Sequence, residues 1–168
     1  MKKTFIALLI AAPLSIMAQT AKIGHVDVKA IYNAMPERIE AQDQLRAFSQ
    51  QYQNEYNTVQ DEFNKKFADY QILAADAATP ATIKERRMQE IQESDHKIQR
   101  FLNKAEADIA AKEKELNAPI MKKINDAIKA VGAEGGYTYI LDVSTTPVAY
   151  AGPDAVDVTS LVKAKLGL

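Results

Sequence analysis

The 168-residue sequence contains no cysteine and no tryptophan, and only 7% of its residues are aromatic. Without cysteine the chain has no disulfide framework, no thiolate for a metal site and no thiol for lipid attachment. The shortage of aromatic residues, together with many Ala, Gln, Lys and Glu residues, is typical of long helices rather than of a compact sandwich. The length allows one domain, or one small domain with an appendage. We therefore expect an elongated protein without covalent cross-links.

The motifs that carry catalytic or cofactor chemistry are also absent from the sequence. It has no Gly-rich phosphate loop and no Gly-x-Ser-x-Gly elbow around a serine nucleophile. His25 and His96 lack the spacing of a zinc site, and ordinary core or surface histidines are the favoured interpretation. Asp27 and Asp142 could in principle share a proton, but a helix cap and a strand-end turn are favoured. We predict no catalytic residue, no cofactor and no metal, and therefore no enzyme.

The first eighteen residues, MKKTFIALLIAAPLSIMA, begin with a basic pair, continue as an apolar run and end at the small residue Ala18. This order is typical of a cleaved secretory signal, and the apolar run is too short to span a bilayer as a stable helix. We predict a signal peptide at residues 1–18 and an exported mature protein. A buried N-terminal core helix is the less favoured alternative.

The charge of the mature chain excludes another class of protein. Of the 21 basic residues, 19 remain without Lys2 and Lys3, and against 22 acidic residues they give a net charge of −3. No basic stripe dominates any segment, although neutralisation of phosphates requires one. We therefore predict no nucleic-acid partner.

Residues 37–131 have the pattern of a long helical hairpin. Apolar residues recur every three or four positions, with a mean repeat near the 3.5 residues of a coiled-coil seam. A short break at residues 74–82 (AADAATPAT) separates two such runs, which should fold back on each other because neither can bury its stripe alone. Thr79 is predicted to cap the second helix and Pro80 to take its first position. The first stripe includes Phe48, Tyr52, Tyr56, Val59, Phe63, Phe67 and Tyr70, and the second includes Ile83, Ile91, Ile98, Leu102, Ala105, Ile109, Ile120, Ile124 and Val131.

Short alternating segments on either side of the hairpin predict a small β body at residues 19–36 and 132–168. The first part contains a strand from Lys22 to Val28 and a short helix that Asp27 caps. The second part contains strands 137–143 and 147–151 and a C-terminal helix 157–166. Three short strands with open edges make a marginal sheet, so we expect subunits to associate and cover them.

Several of these segments resemble the Skp/OmpH family of periplasmic chaperones for outer-membrane proteins. The resemblance extends from Lys22 to Leu166, and the hairpin matches only in pattern. Its specific segments are HVDVKAIYNAMPE at 25–37, Pro119, ILD at 140–142, VAYA at 148–151 and DVTSLV at 157–162.

The resemblance implies an α+β fold, in which a small β-rich trimerisation body carries one long antiparallel helical hairpin per protomer. It further implies an ATP-independent periplasmic holdase, a homotrimer whose arms surround a cavity for unfolded outer-membrane β-barrel proteins. Such a holdase binds many sequences through dispersed, weak contacts. Candidate client-contacting residues then lie at the arm tip: Ile72, Leu73, Ala75, Ala77, Ala78 and Met88.

The sequence departs from the family's strongly basic character. The mature chain is slightly acidic, and in AAKEKEL the lysines at 112 and 114 are offset by glutamates at 113 and 115. This pattern argues against a lipopolysaccharide site and against capture of clients mainly by charge attraction.

Two further interpretations stay open at this stage. The hairpin could belong to a structural coiled-coil adaptor of the cell envelope, which binds one folded partner through the tip. A weak association with the membrane surface is also compatible with the sequence. An enzyme would require Asp27 or Asp142 to carry an activity, and no accompanying motif supports one.

Overall fold

The computed structural model describes residues 21–168, so the predicted signal peptide at 1–18 lies outside the described residues. The described chain is mostly helical with a small sheet, which confirms the predicted α+β class. Its elements are β1 (Ile23–Val26), α1 (Val28–Ala34), α2 (Glu37–Ala75), α3 (Ala81–Gly135), β2 (Tyr139–Asp142), β3 (Val156–Asp157) and α4 (Thr159–Leu166).

Helices α2 and α3 form the long antiparallel hairpin that the periodicity predicts. Tyr52 contacts Asp108, and Lys66 contacts Ser94. As the residue number increases along α2, the number of its partner on α3 decreases, so the two helices are antiparallel. At 1.5 Å per residue, the 39 residues of α2 extend about 58 Å. The hairpin between residue 44 and residue 114 is called the arm below, and its far end at residues 72–88 is called the tip.

The main hydrophobic core lies at the base of the hairpin, where the C-terminal part of α3 meets α1, α4 and the sheet. The fully buried side chains are Val26, Ile31, Ile124, Val158 and Val162. Ile120, Ala127 and Val131 extend this core along α3, so one continuous helix serves both the arm and the body.

A side-chain cap closes the start of α1 and a glycine closes the end of α3, and the cap of α1 is the one that the sequence predicts. Asp27 Oδ1 accepts a hydrogen bond from the N–H of Ala30 at 2.8 Å and caps α1. Gly136 ends α3 at φ 64°, in the left-handed region that an L-residue with a side chain enters only at a cost. The N–H of Tyr137 then closes the end by donating to the carbonyl of Gly132 at 3.0 Å.

The sheet is parallel, with strand order β2-β1-β3. Its register pairs Ile23 with Tyr139 across β1 and β2, and His25 with Asp157 across β1 and β3. Because strand side chains alternate, Gly24, Val26 and Ile140 face the core while Ile23, His25, Tyr139 and Leu141 face away from it. We call this second side the outer face of the sheet.

The predicted strand at 147–151 is wrong, and the third strand is Val156–Asp157. A turn at 143–145 follows β2, and residues 147–151 pair with no strand in the described part of the chain. The reason is topological: β3 runs parallel to β2, so the connection must return from the C-terminal end of the sheet to its N-terminal end. The VAYA residues lie in that connection, which we call the return segment, and form no ladder pairs.

Candidate functional site

The tip is closed by hydrogen bonds that one aspartate accepts and one lysine donates. Asp76 Oδ1 accepts from the N–H of Ala78, and its Oδ2 accepts from the Thr79 hydroxyl, each at 2.9 Å. These bonds, first that from Ala78, hold the pKa of Asp76 below its ordinary value. Lys84 Nζ donates to the carbonyls of Ala74 and Asp76, both at 2.9 Å, and so binds the C-terminal carbonyls of α2.

The predicted cap at the start of α3 is therefore wrong. Thr79 donates its hydroxyl to Asp76 instead of accepting from the helix, and Pro80 precedes the helix with an extended ψ of 144°. The helix begins at Ala81, so Pro80 is the N-cap residue, and its carbonyl accepts the first helical hydrogen bond from Ile83 N at 3.0 Å. The turn that results is short and held by side chains.

The tip presents apolar side chains to solvent. Ile72 is 72% exposed, and Met88 and the three predicted alanines are exposed as well, whereas Leu73 is half-buried. Ile83, which the periodicity assigned to the seam, is 45% exposed and belongs to the same surface. The tip residues predicted to contact clients thus lie together at the end of the arm, and their contact with a client stays a prediction.

The seam between α2 and α3 contains water-accessible tyrosines with polar partners. Tyr52 donates its hydroxyl to Asp108 Oδ2 at 2.5 Å, and Lys104 Nζ donates to the same oxygen at 2.7 Å. The bond to Asp108 raises the pKa of Tyr52, while Lys104 first and Tyr52 second lower the pKa of Asp108. The ring of Tyr52 packs between Phe48 and Phe101, with centroids 5.3 and 5.9 Å away. The arm thus has aromatic contacts but no dry interior here.

Closer to the tip the seam is interrupted by a polar crossing. Ser94 is buried, donates to the carbonyl of Glu90 at 2.8 Å and accepts from Lys66 Nζ at 2.9 Å. Ile91 and Ile98 bury apolar surface on either side of it. The arm is therefore a thin structure in which polar and apolar contacts alternate.

The outer face of the sheet is the other exposed apolar surface. Tyr139 is 63% exposed, Leu141 and Ile23 are exposed, and the return segment adds Val148 and Tyr150. Sequence reasoning did not single out this surface, although the alternation at residues 23–26 and 139–142 places apolar residues on both sides of the sheet. Four of these side chains, all but Tyr139, line a cavity of about 540 Å³.

The two aspartates considered as an acid–base pair have structural roles. Asp142 accepts hydrogen bonds from Ser144 N at 2.9 Å and from Val28 N at 3.4 Å, and Asp27 caps α1. Burial alone raises the pKa of Asp142, but the hydrogen bonds, led by that from the Ser144 hydroxyl, outweigh it and leave the pKa low. The favoured interpretation, a cap and a strand-end turn, is confirmed.

Residues 21–168 contain no group of three or more His, Asp or Glu side chains placed to hold a metal ion. Among the same residues, no helix has both the length and the apolar character needed to cross a membrane. Lys112 pairs with Glu115 at 2.9 Å, in keeping with the offset charges read from AAKEKEL.

Comparison with known proteins places the chain in a family. The profile described as "Outer membrane protein (OmpH-like)" matches residues 22–166. The chain is 30% identical to chaperone protein Skp of Yersinia enterocolitica over 160 residues, which cover 90% of this chain and 89% of that protein. It is 29% identical to chaperone protein Skp of Pectobacterium atrosepticum, with 92% and 90% covered, and 28% identical to that of Vibrio cholerae serotype O1, with 83% of each covered. The chain belongs to the OmpH-like family, whose members are chaperones and not enzymes.

Proposed function

We propose that three copies of this chain associate through the outer faces of their sheets and act in the periplasm as an ATP-independent holdase. Unfolded outer-membrane proteins are held in the cavity between the three arms, where their aggregation is prevented. One observation supports the proposal above all: the hairpin has an exposed apolar tip at one end and an exposed apolar sheet face at the other. The predicted signal peptide at residues 1–18 supports export.

The sheet supports the association step. A three-stranded parallel sheet with one apolar face in water and two open edges is a poor final state for a soluble chain. Closed symmetry of identical copies buries such a face and pairs such edges without any other partner. Copies joined at this end carry their arms side by side, which creates the space that a client needs.

The arm supports the holding step. A client without fixed structure must be bound by many weak contacts rather than by one pocket. The tip offers Ile72, Ile83 and Met88, and its small alanines leave room for bulky client side chains. Because the seam is thin and partly polar, the arm is expected to bend more easily than the body.

The holding step is tested by light scattering of a refolding β-barrel membrane protein with and without the mature chain. We expect aggregation to fall as the chaperone approaches molar excess. The triple variant Ile72→Gln, Ile83→Gln, Met88→Gln should protect less. Ile39→Gln is the matched control, because Ile39 is equally apolar and 59% exposed but lies at the root of α2. Unchanged aggregation at molar excess of the parent protein would refute the holdase.

The association step is tested by sedimentation equilibrium. The parent chain is expected at three times its own mass, and Leu141→Asp is expected to release single chains by placing a charge in the interface. Leu102→Asp, at a similarly exposed leucine on the arm, serves as the control and should leave the assembly intact. Capture of one folded protein in fixed stoichiometry by the parent chain would favour the adaptor alternative.

A further inference from the structure

We propose that the solvent-facing side of α2 near the middle of the arm is a second contact surface for clients, and that it binds their backbone. We call this surface the amide face; its exposed side chains are Gln50, Gln53, Asn54 and Asn57. The inference rests on the proposed holdase. It names the chemistry by which the side of the arm holds a polypeptide without fixed structure.

The four amides lie on one side of α2. Their spacing of three, four and seven residues places them on the same helix face, opposite the seam residues Tyr52 and Val59. Arg46 and Asp61, each four residues beyond an end of the set, limit this face along the helix. The amide face therefore extends over two helical turns and contains no charge.

The two helices of the arm differ in charge at this level. From residue 47 to residue 60, α2 has a single charged side chain, that of Glu55. Because Tyr52 contacts Asp108 and Lys66 contacts Ser94, residues 100–113 of α3 lie beside this segment. They include six charged side chains: Arg100, Lys104, Glu106, Asp108, Lys112 and Glu113. Solubility of the arm therefore does not require the amides.

The asparagines are also a poor choice for a solvated helix. Asn disfavours helix interiors because its short side chain competes for backbone hydrogen bonds. Asn54 and Asn57 lie far from both ends of the 39-residue α2, so neither caps it. A charged pair such as Lys104 with Asp108 supports a helix surface instead. Departures from local rules without a structural gain are expected at functional positions.

Two hydrogen bonds orient the amides and leave most of their bonding groups free. Gln50 Nε2 donates to Asn54 Oδ1, and Gln53 Nε2 donates to Asn57 Oδ1, each at 3.0 Å. A side-chain amide has two N–H donors and a carbonyl oxygen with two lone pairs. Each pair thus retains donors and acceptors for a ligand. A peptide group has the same two functions, so these amides can bind an extended backbone whatever its side chains.

An unfolded β-barrel protein presents backbone groups of this kind. In the folded barrel, the backbone N–H and C=O groups of each strand pair with neighbouring strands, whereas in the unfolded chain they lack those partners. Each hydrogen bond to the amide face replaces one to water, so its net contribution is small and the contact is reversible. Strand pairing during folding of the client removes the groups that the amide face binds. Folding itself therefore favours release.

The test compares two triple variants at the same level of the arm. Gln53→Ala, Asn54→Ala, Asn57→Ala removes three amides, and Arg100→Ala, Asn103→Ala, Glu106→Ala removes three exposed side chains of α3. Binding of a fluorescently labelled β-barrel membrane protein, diluted from urea, is measured by titration with each mature protein. The dissociation constant should rise about tenfold in the amide variant, or about 1.4 kcal/mol, and less than about twofold in the α3 variant.

Salt distinguishes this contact from capture by charge. Raising the salt concentration from 0.1 M to 1 M shortens the Debye length from about 10 Å to about 3 Å, which weakens attraction between exposed charges. Because the amide face is neutral, the dissociation constant of the parent protein should not rise with salt. A rise would overturn the inference.

A conservative variant tests the amides even if the alanines disturb the arm. Asn54→Gln, Asn57→Gln keeps both amides on a better helix former and should bind the client as tightly as the parent protein. The inference is overturned if this variant binds more weakly, if both triple variants weaken binding equally, or if neither does. It is also overturned if sedimentation equilibrium shows that the amide variant changes the mass of the assembly, because the face would then join copies. A parent protein that binds no client refutes the proposed holdase itself.

Discussion

The two ends of α3 differ in what surrounds them. At the base of the hairpin, Ile124 has no exposed surface and packs among Ile31, Val158 and Val162. Along the arm, Ile98 faces α2 alone, and Ser94 and the Tyr52–Asp108 pair lie in the same seam. The body is therefore stabilised by a few fully buried side chains that pack against several elements. The arm is stabilised by many contacts between two helices that water can reach. Four predictions can break or sharpen this contrast.

The largest effect is expected in the body. Ile124→Ala removes a fully buried side chain where the surrounding helices and sheet cannot collapse into the space, so the free energy of unfolding should fall by about 4 kcal/mol. Urea denaturation followed by circular dichroism measures the change. Ile72→Ala at the tip is the control and should change stability by less than about 0.5 kcal/mol. Equal effects at both sites would contradict a dense base.

A smaller effect is expected in the arm. Ile98→Ala also removes a buried side chain, but the two-helix seam can close or admit water, so we expect a loss of about 2 kcal/mol, at the low end for such a change. Amide hydrogen exchange should speed up in α2 and α3 near the site and remain slow in α1 and α4. A loss as large as that of Ile124→Ala would remove the distinction between arm and body.

A third substitution, at the junction between α3 and β2, should lower stability only through the backbone conformation that it requires. At Gly136 a Cβ would meet no atom within 4 Å, but φ is 64°, so Gly136→Ala should cost about 1 kcal/mol through conformation and not through packing. Thermal unfolding measures it. Gly167→Ala, at φ 77° after α4 and also without an atom within 4 Å of its Cβ, is a second site of the same kind and should cost a similar amount.

The smallest effect concerns pH in the seam. Because Lys104 and Tyr52 lower the pKa of Asp108, its contribution to arm stability is present above the ordinary aspartate pKa and is lost as pH falls through the lowered value. Tyr52→Phe should weaken this dependence in hydrogen exchange measured along α2. Tyr56→Phe, whose hydroxyl binds only Gln60 on its own helix, should leave it unchanged. Identical behaviour of the two variants would show that the Asp108 contact contributes nothing.

Elements fixed by local pattern could be predicted from the sequence. The apolar stripes predict the hairpin, and Asp27 predicts a cap whose partner lies three residues further on, because each signal acts within a few residues. The candidate residues of the tip followed from the position of the break. What they contact depends on a client, which sequence pattern does not describe.

The predictions that are wrong concern the pairing of strands far apart in the sequence and the residue at which a helix begins. Val148 and Tyr150 alternate as in a strand, but pairing depends on where β2 and β3 run, and that is set by topology. Thr79 is a good cap by type, yet α3 begins at Ala81 with Pro80 as its N-cap residue, and the Thr79 hydroxyl donates to Asp76. The sequence favours an ordinary histidine at position 25, and the burial of its Nδ1 without a hydrogen-bond partner depends on the placement of three strands.

Because α3 runs without interruption from the tip to the core, the length of the arm is set by the number of residues in its two helices. Between the contact of Tyr52 with Asp108 and that of Lys66 with Ser94, α2 and α3 contain the same number of residues. Removing seven residues from each helix therefore preserves which side chains contact each other. Each such pair of deletions shortens the arm by about 10 Å and leaves the base untouched. In the proposed assembly, the depth of the cavity therefore changes in steps of one heptad, and such a change leaves the proposed contact between the copies unaltered.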